Sequence, residues 1–141
     1  MRRLNLFFDV DNTLILWNGK LRNHVREVFD AIREDGHHIY IWSGVGIRRW
    51  DMNRHQLHEY VRDYFVKPLD NYYERAYRDF KVNVPIHFAV DDHRGVVDAF
   101  GGYFINDSPK LDDREMLDVL AAIREFAAQP GELPGMPEPS A

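Results

Sequence analysis

Five short apolar runs of strand length, LNLFF, HHIYIWS, DYFV, IHFAV and YFIN, alternate along this chain with segments of helical periodicity. That alternation constrains the fold more than any other feature. Parallel neighbours in a sheet need crossover connections, and helices supply them, so the pattern predicts a mostly parallel sheet covered on both faces. Helices are expected from Asn23, as a cap, to about Glu34, from Ile47 to about Tyr60, from Asn71 to Phe80, from Arg94 to Phe100 and from Leu111 to Ala128. Their apolar stripes mark the core: Val25, Val28, Phe29 and Ile32 in the first, Trp50, Leu57 and Val61 in the second, and Leu111, Met116, Leu117, Leu120, Ile123 and Phe126 in the last.

The expected class is therefore α/β, a Rossmann-like three-layer α/β/α sandwich around a central, mostly parallel five-stranded sheet. A chain of 141 residues fits one domain, which on folding buries about two-thirds of the surface of the unfolded chain. Residues 1–128 read as that single domain, and 129–141, rich in proline and glycine, as a disordered tail. The start, MRRLNLFFDVDN, superficially resembles a secretory signal, but Asn5, Asp9 and Asp11 interrupt it and it reads as the first strand. No run approaches a membrane span of roughly 20 apolar residues. The absence of cysteine excludes disulfides, thiolate metal sites and cysteine nucleophiles, and makes the cytoplasm the expected compartment. A net charge of −5 gives no overall attraction for nucleic acid.

In sheets of this kind ligands sit at the carboxyl ends of the strands. The rule gathers Asp9, Asp11, Ser43, Lys67, Asp91 and Asp92 at one edge. Asp9 and Asp11 are close enough to repel each other, and so are Asp91 and Asp92. Unless protonated, such pairs need a cation, and magnesium is the commonest hard cation for clustered carboxylates. Lys81 competes with Lys67 for this edge, but Lys81 precedes the fourth strand and belongs at its amino end, whereas Lys67 follows the third.

In matching order, DVDNT, the serine of IWSG, the lysine of VKP and the pair in AVDDH resemble the four motifs of the haloacid dehalogenase (HAD) superfamily of phosphohydrolases. The resemblance covers roughly residues 4 to 107. It implies a magnesium-dependent phosphatase with Asp9 as the nucleophile that forms an aspartyl-phosphate and Asp11 as the general acid and base. The chemistry agrees, because phosphoester hydrolysis needs a nucleophile, neutralisation of the phosphoryl oxygens and a proton for the leaving group. Dehalogenase-type members lack the second carboxylate. The resemblance further implies that Mg2+ is held by Asp9, by the backbone carbonyl of Asp11 and by the second acidic pair, with Asp92 favoured as ligand and Asp91 as partner of Lys67. Ser43, Gly44 and Asn12 would bind phosphate, Lys67 would offset charge on nucleophile and phosphate, and Thr13 would support the loop.

Many members carry a cap domain after the first motif or between the second and third. Here Asp11 and Ser43 are 32 residues apart and Ser43 and Lys67 are 24 apart. A flap from Leu14 to His24, two helices and two strands fill both intervals, so no cap is expected. An uncapped site admits a macromolecular phosphorylated substrate, or borrows a lid from a second subunit. VDDHRGVVDAF is also similar to the fourth-motif region of polynucleotide 3′-phosphatases, which offers nucleic acid as a partner against the acidic net charge. A non-enzymatic phosphoacceptor is a second alternative, though receivers place the phosphorylated aspartate on the third strand, where DYFVKP has none at its carboxyl end. A degenerate scaffold module is a third. The His55/His58 pair has zinc-like spacing without a third ligand and reads as a solvated helix face. His93 either contacts substrate or caps a helix. Arg48, Arg49 and Arg54 form either a basic rim or a solvated face, and Trp42, Trp50, Tyr72 and Tyr73 read as packing.

Overall fold

The computed structural model describes residues 1–138; residues 139–141, the end of the tail read above as disordered, lie outside the described residues. β1 (Asn5–Phe8) occupies the centre of the sheet, between β2 (His38–Ser43) and β4 (Phe88–Asp91). The edges are β3 (Val61–Val66) and β5 (Gly102–Phe104), giving the order β3-β2-β1-β4-β5 with every pairing parallel. Because side chains alternate across a strand, β1 feeds two cores. Leu6 and Phe8 join Ile39, Ile41, Phe88 and Val90 in one, and Phe7 joins Tyr40, Trp42 and Ala89 in the other. Strands buried on both faces read as continuous apolar runs, which is why LNLFF and IYIW show no polar alternation.

α1 (Val25–Glu34), α2 (Arg49–Arg54) and α5 (Glu115–Ala128) send buried side chains into the first core, and α3 (Tyr72–Arg78) and α4 (Arg94–Phe100) into the second. The chain therefore winds from β1 outward to β3 over one face and returns through β4 to β5 over the other. The winding direction reverses between β1 and β4, and the crevice at their carboxyl ends is the switch point where such folds bind ligands. Gly102 is required for the last strand: its φ is +145°, and a Cβ there would lie 1.9 Å from the carbonyl oxygen of Ala89.

The connections differ in detail from the periodicity. The helix expected over 47–60 breaks after Arg54, where Gln56 takes a φ of +58°, and resumes only as a 3₁₀ turn at His58–Tyr60. The break separates His55 from His58, and Trp50, within α2, is 68% exposed instead of buried. α5 starts at Glu115, not Leu111, and Leu111 is fully exposed. Asn23 does not cap α1; its amide donates to the carbonyls of Leu111 and Asp113, and His24 holds the N-cap with a φ of +69°.

Residues 14–24 form a small hairpin closed by Leu16 and Lys20 and turning at Gly19. Between β2 and β3 lie only α2 and the 3₁₀ turn, so neither connection holds an inserted domain. Residues 129–138 form no helix or strand, and Leu133 packs against the first core. No helix among the described residues is long and apolar enough to cross a membrane.

Candidate active site

Asp9 is the first residue past β1, held by its amide to the carbonyl of Val90 on β4 at 3.0 Å. Lys67 follows β3 and donates its amide to the carbonyl of Ser43, the last residue of β2, at 2.9 Å. Asp91 ends β4. The strand ends thus deliver Asp9, Ser43, Lys67, Asp91 and Asp92 to one crevice, and all of these except Asp91 line a cavity of about 300 Å³ with Asp11, Asn12, Gly44, Val45, Pro68, Leu69, Tyr72 and His93.

Lys67 is buried and bridges two carboxylates, donating to Asp9 Oδ1 at 3.1 Å and to Asp91 Oδ2 at 2.9 Å. Burial alone would favour its neutral amine, but Asp9 and Asp91 outweigh it and push the ammonium up. Lys81, the rival, is exposed in the connection from α3 to β4 and does not line this cavity. Thr13, fully buried, donates its hydroxyl to Asp9 Oδ2 at 3.1 Å, so it supports the acid itself and not merely the loop. Burial, opposed by Lys67 and reinforced by Asp92 alongside, pushes the Asp9 carboxyl up to about 6. Asp91 is raised as well, by burial and then by the charge of Asp9.

The two acids of the second pair differ in what surrounds them. Both oxygens of Asp91 are occupied, one by Lys67 and the other by the amide of His93 at 2.9 Å. Asp92 carries a buried Oδ1 with no hydrogen-bond partner. A buried carboxylate oxygen without a donor is costly, and a cation is the partner that removes the cost. Three carboxylates against one ammonium leave the cluster with a formal double negative charge, which a divalent cation balances. The donor set fits Mg2+, since it is all oxygen and opens on a cavity with room for water and phosphate. Among the described residues, Asp91, Asp92 and His93 are the one group of three metal-capable side chains within reach of one another.

Asp11 stands apart from this cluster. Arg48 grips both of its oxygens, at 2.6 and 3.0 Å, donates to Ser43 Oγ at 3.2 Å and is itself held by Asp51 at 2.7 Å. These contacts, led by the hydrogen bond to Asp11, raise the Arg48 guanidinium further above its ordinary range. Of the three arginines considered for a basic rim, Arg48 therefore faces inward, while Arg49 lies over Tyr64 and Arg54 over Trp50. Ser43 Oγ accepts from Arg48 and from the amide of Val45 at 3.3 Å. With both acceptor positions filled, its own proton is left for an oxygen in the cavity.

Arg22 was not legible as part of this arrangement. Fully buried beneath the hairpin, it donates to the carbonyls of Asn12 and Thr13 at 3.1 and 3.4 Å, to that of Asn106 at 2.6 Å, and to Asp113 and Glu115 at 2.9 and 3.2 Å. It fixes the turn carrying Asp11, where Asn12 takes a φ of +64°. Its partners lie 9 to 93 residues away, so only the unusual position of an arginine inside an apolar hairpin, LILWNGKLR, signalled it.

No family model matches this sequence, and no curated protein matches it. Solved structures do. An uncharacterized protein from Listeria monocytogenes serotype 4b aligns with a TM-score of 0.56 at 10% identity, over 87% of this chain and 98% of that one. The core domain of a candidate phosphoglycolate phosphatase from Streptococcus pneumoniae TIGR4, solved by NMR, aligns with a TM-score of 0.53 at 14% identity, over 92% and 98%. At these identities the likeness concerns the fold, a three-layer α/β/α sandwich with a parallel five-stranded sheet.

Proposed function

We propose that this protein is a magnesium-dependent phosphatase that hydrolyses a phosphate monoester through phospho-Asp9. The observation that carries the reading is the buried Asp9–Lys67–Asp91 cluster beside the unpartnered oxygen of Asp92, at the mouth of an open crevice. Asp9, Asp92 and the backbone carbonyl of Asp11 would hold Mg2+, with Asp91 fixing Lys67. Bound there, the cation supplies charge neutralisation for the phosphoryl oxygens and for Asp9.

Each residue then has a task. Lys67 and Thr13 aim the Asp9 carboxylate at phosphorus. As the bond from phosphorus to the leaving oxygen breaks, one forms to Asp9, while Ser43 donates to a phosphoryl oxygen. Asp11 gives its proton to the leaving oxygen, then takes one from the water that attacks phospho-Asp9 and releases phosphate. To do so it must free one of its oxygens from Arg48, which holds both. The name of the pneumococcal neighbour offers 2-phosphoglycolate as one ester to assay, and the uncapped cavity extends the candidates to phosphate groups on macromolecules, nucleic acid among them.

Turnover of an aryl phosphate with magnesium, abolished in Asp9→Asn and in Asp11→Asn, is the expected result. Normal turnover by Asp9→Asn would sink the mechanism.

A further inference from the structure

We infer that the cavity over Asp9 selects phosphate monoesters whose leaving group is apolar and carries no second negative charge. The inference deepens the phosphatase reading and rests on it. Beside its polar residues, the cavity lining includes the apolar Val45, Pro68, Leu69 and Tyr72.

Two glycines lie under two of these residues. A Cβ on Gly44 would come within 2.7 Å of Leu69 Cδ2, and one on Gly95 within 2.9 Å of the Tyr72 ring. Leu69 and Tyr72 thus lean across backbone that has no side chain to hold them off. Leu69 is 74% and Val45 78% exposed, so two aliphatic side chains stand in water at the mouth of the crevice. An apolar group attached to a phosphate bound near Asp9 would cover them, and removing such surface from water stabilises a complex.

The charges point the same way. Lys67 is the one lysine or arginine on the lining, and it is matched by Asp9 and Asp91. Arg48, behind the lining, is matched by Asp11 and Asp51. His93, exposed, is the remaining basic group there. A carboxylate or second phosphate on the leaving group would meet no uncommitted lysine or arginine.

Benzyl phosphate and 2-phosphoglycolate both release a primary alcohol, so the ratio of their kcat/KM values reads recognition more than leaving-group chemistry. With magnesium, the wild-type chain is expected to favour benzyl phosphate by about tenfold or more, the discrimination an apolar pocket provides. Leu69→Lys, at an exposed position that the fold tolerates, should shrink that ratio about tenfold, chiefly by lowering KM for 2-phosphoglycolate. Equal or reversed preference in the wild type, or a ratio unmoved by Leu69→Lys, overturns the inference. Calorimetric titration with benzylphosphonate and phosphonoacetate separates the two levels of the argument. Tighter binding of benzylphosphonate without turnover of either ester would keep the cavity assignment and sink the phosphatase reading. Tighter binding of phosphonoacetate would overturn the cavity assignment whatever the turnover.

Discussion

Two buried cations, Lys67 and Arg22, each sit between two carboxylates, yet their surroundings are opposite. Arg22 has five N–H donors and five acceptors: Asp113, Glu115 and the carbonyls of Asn12, Thr13 and Asn106. Lys67 has three donors and two recorded acceptors, in a cluster that carries surplus negative charge and the orphaned oxygen of Asp92. The first arrangement is complete, and it ties the Asp11 turn to the loop before α5. The second is incomplete and faces a cavity. Burial of charge therefore does not by itself mark a site; a buried acceptor left without a donor beside open space does.

Removing each cation should separate the two roles. Arg22→Met leaves Asp113, Glu115 and three carbonyls without their donor, so unfolding free energy should fall by about 3–5 kcal/mol, measured by urea denaturation. A change under about 1 kcal/mol would show that the hub is dispensable. Lys67→Met should instead act on chemistry, lowering kcat about 10²–10³-fold as expected for loss of one charge-stabilising donor. Its stability should fall less than that of Arg22→Met, because Asp9 borders the cavity and can take up a proton or a cation. Equal destabilisation by the two substitutions would erase the contrast.

A smaller effect lies in pH dependence. With its folded-state pKa raised from 3.8 to about 6, Asp9 binds its proton more tightly in the native than in the unfolded chain. Its contribution is therefore fully present below about pH 4 and lost as pH rises through about 6. A shift of roughly two units corresponds to about 3 kcal/mol. Without magnesium, Asp9→Asn should thus gain on the wild type across that window. A constant difference from pH 4 to 7 would contradict the cause assigned to the shift.

The strands and their polar ends were legible because both are local. LNLFF and IHFAV announce buried parallel strands, and a carboxylate, serine or lysine that follows such a run has one edge to occupy. What pairs across the fold was not legible. Nothing near Arg22 in the chain names Asp113 or Glu115, and nothing near Arg48 names Asp11. Periodicity also overran two helix boundaries. Gln56 adopts a left-handed backbone inside an apparently helical stretch, and Leu111 continues the stripe of α5 without belonging to it. The preference for Asp92 over Asp91 as metal ligand came from the resemblance; nothing in the local sequence shows that Lys67 and the His93 amide occupy both oxygens of Asp91.

The central claim concerns a bond to Asp9, and the most direct measurement is to trap it. Wild-type protein turning over an aryl phosphate with magnesium would be quenched and reduced with borohydride, which converts an aspartyl-phosphate to homoserine, and the peptides read by mass spectrometry. The account predicts homoserine at position 9, dependent on magnesium and on substrate. Active turnover with Asp9 unmodified, or with the modification at Asp11, Asp91 or Asp92 instead, would contradict it.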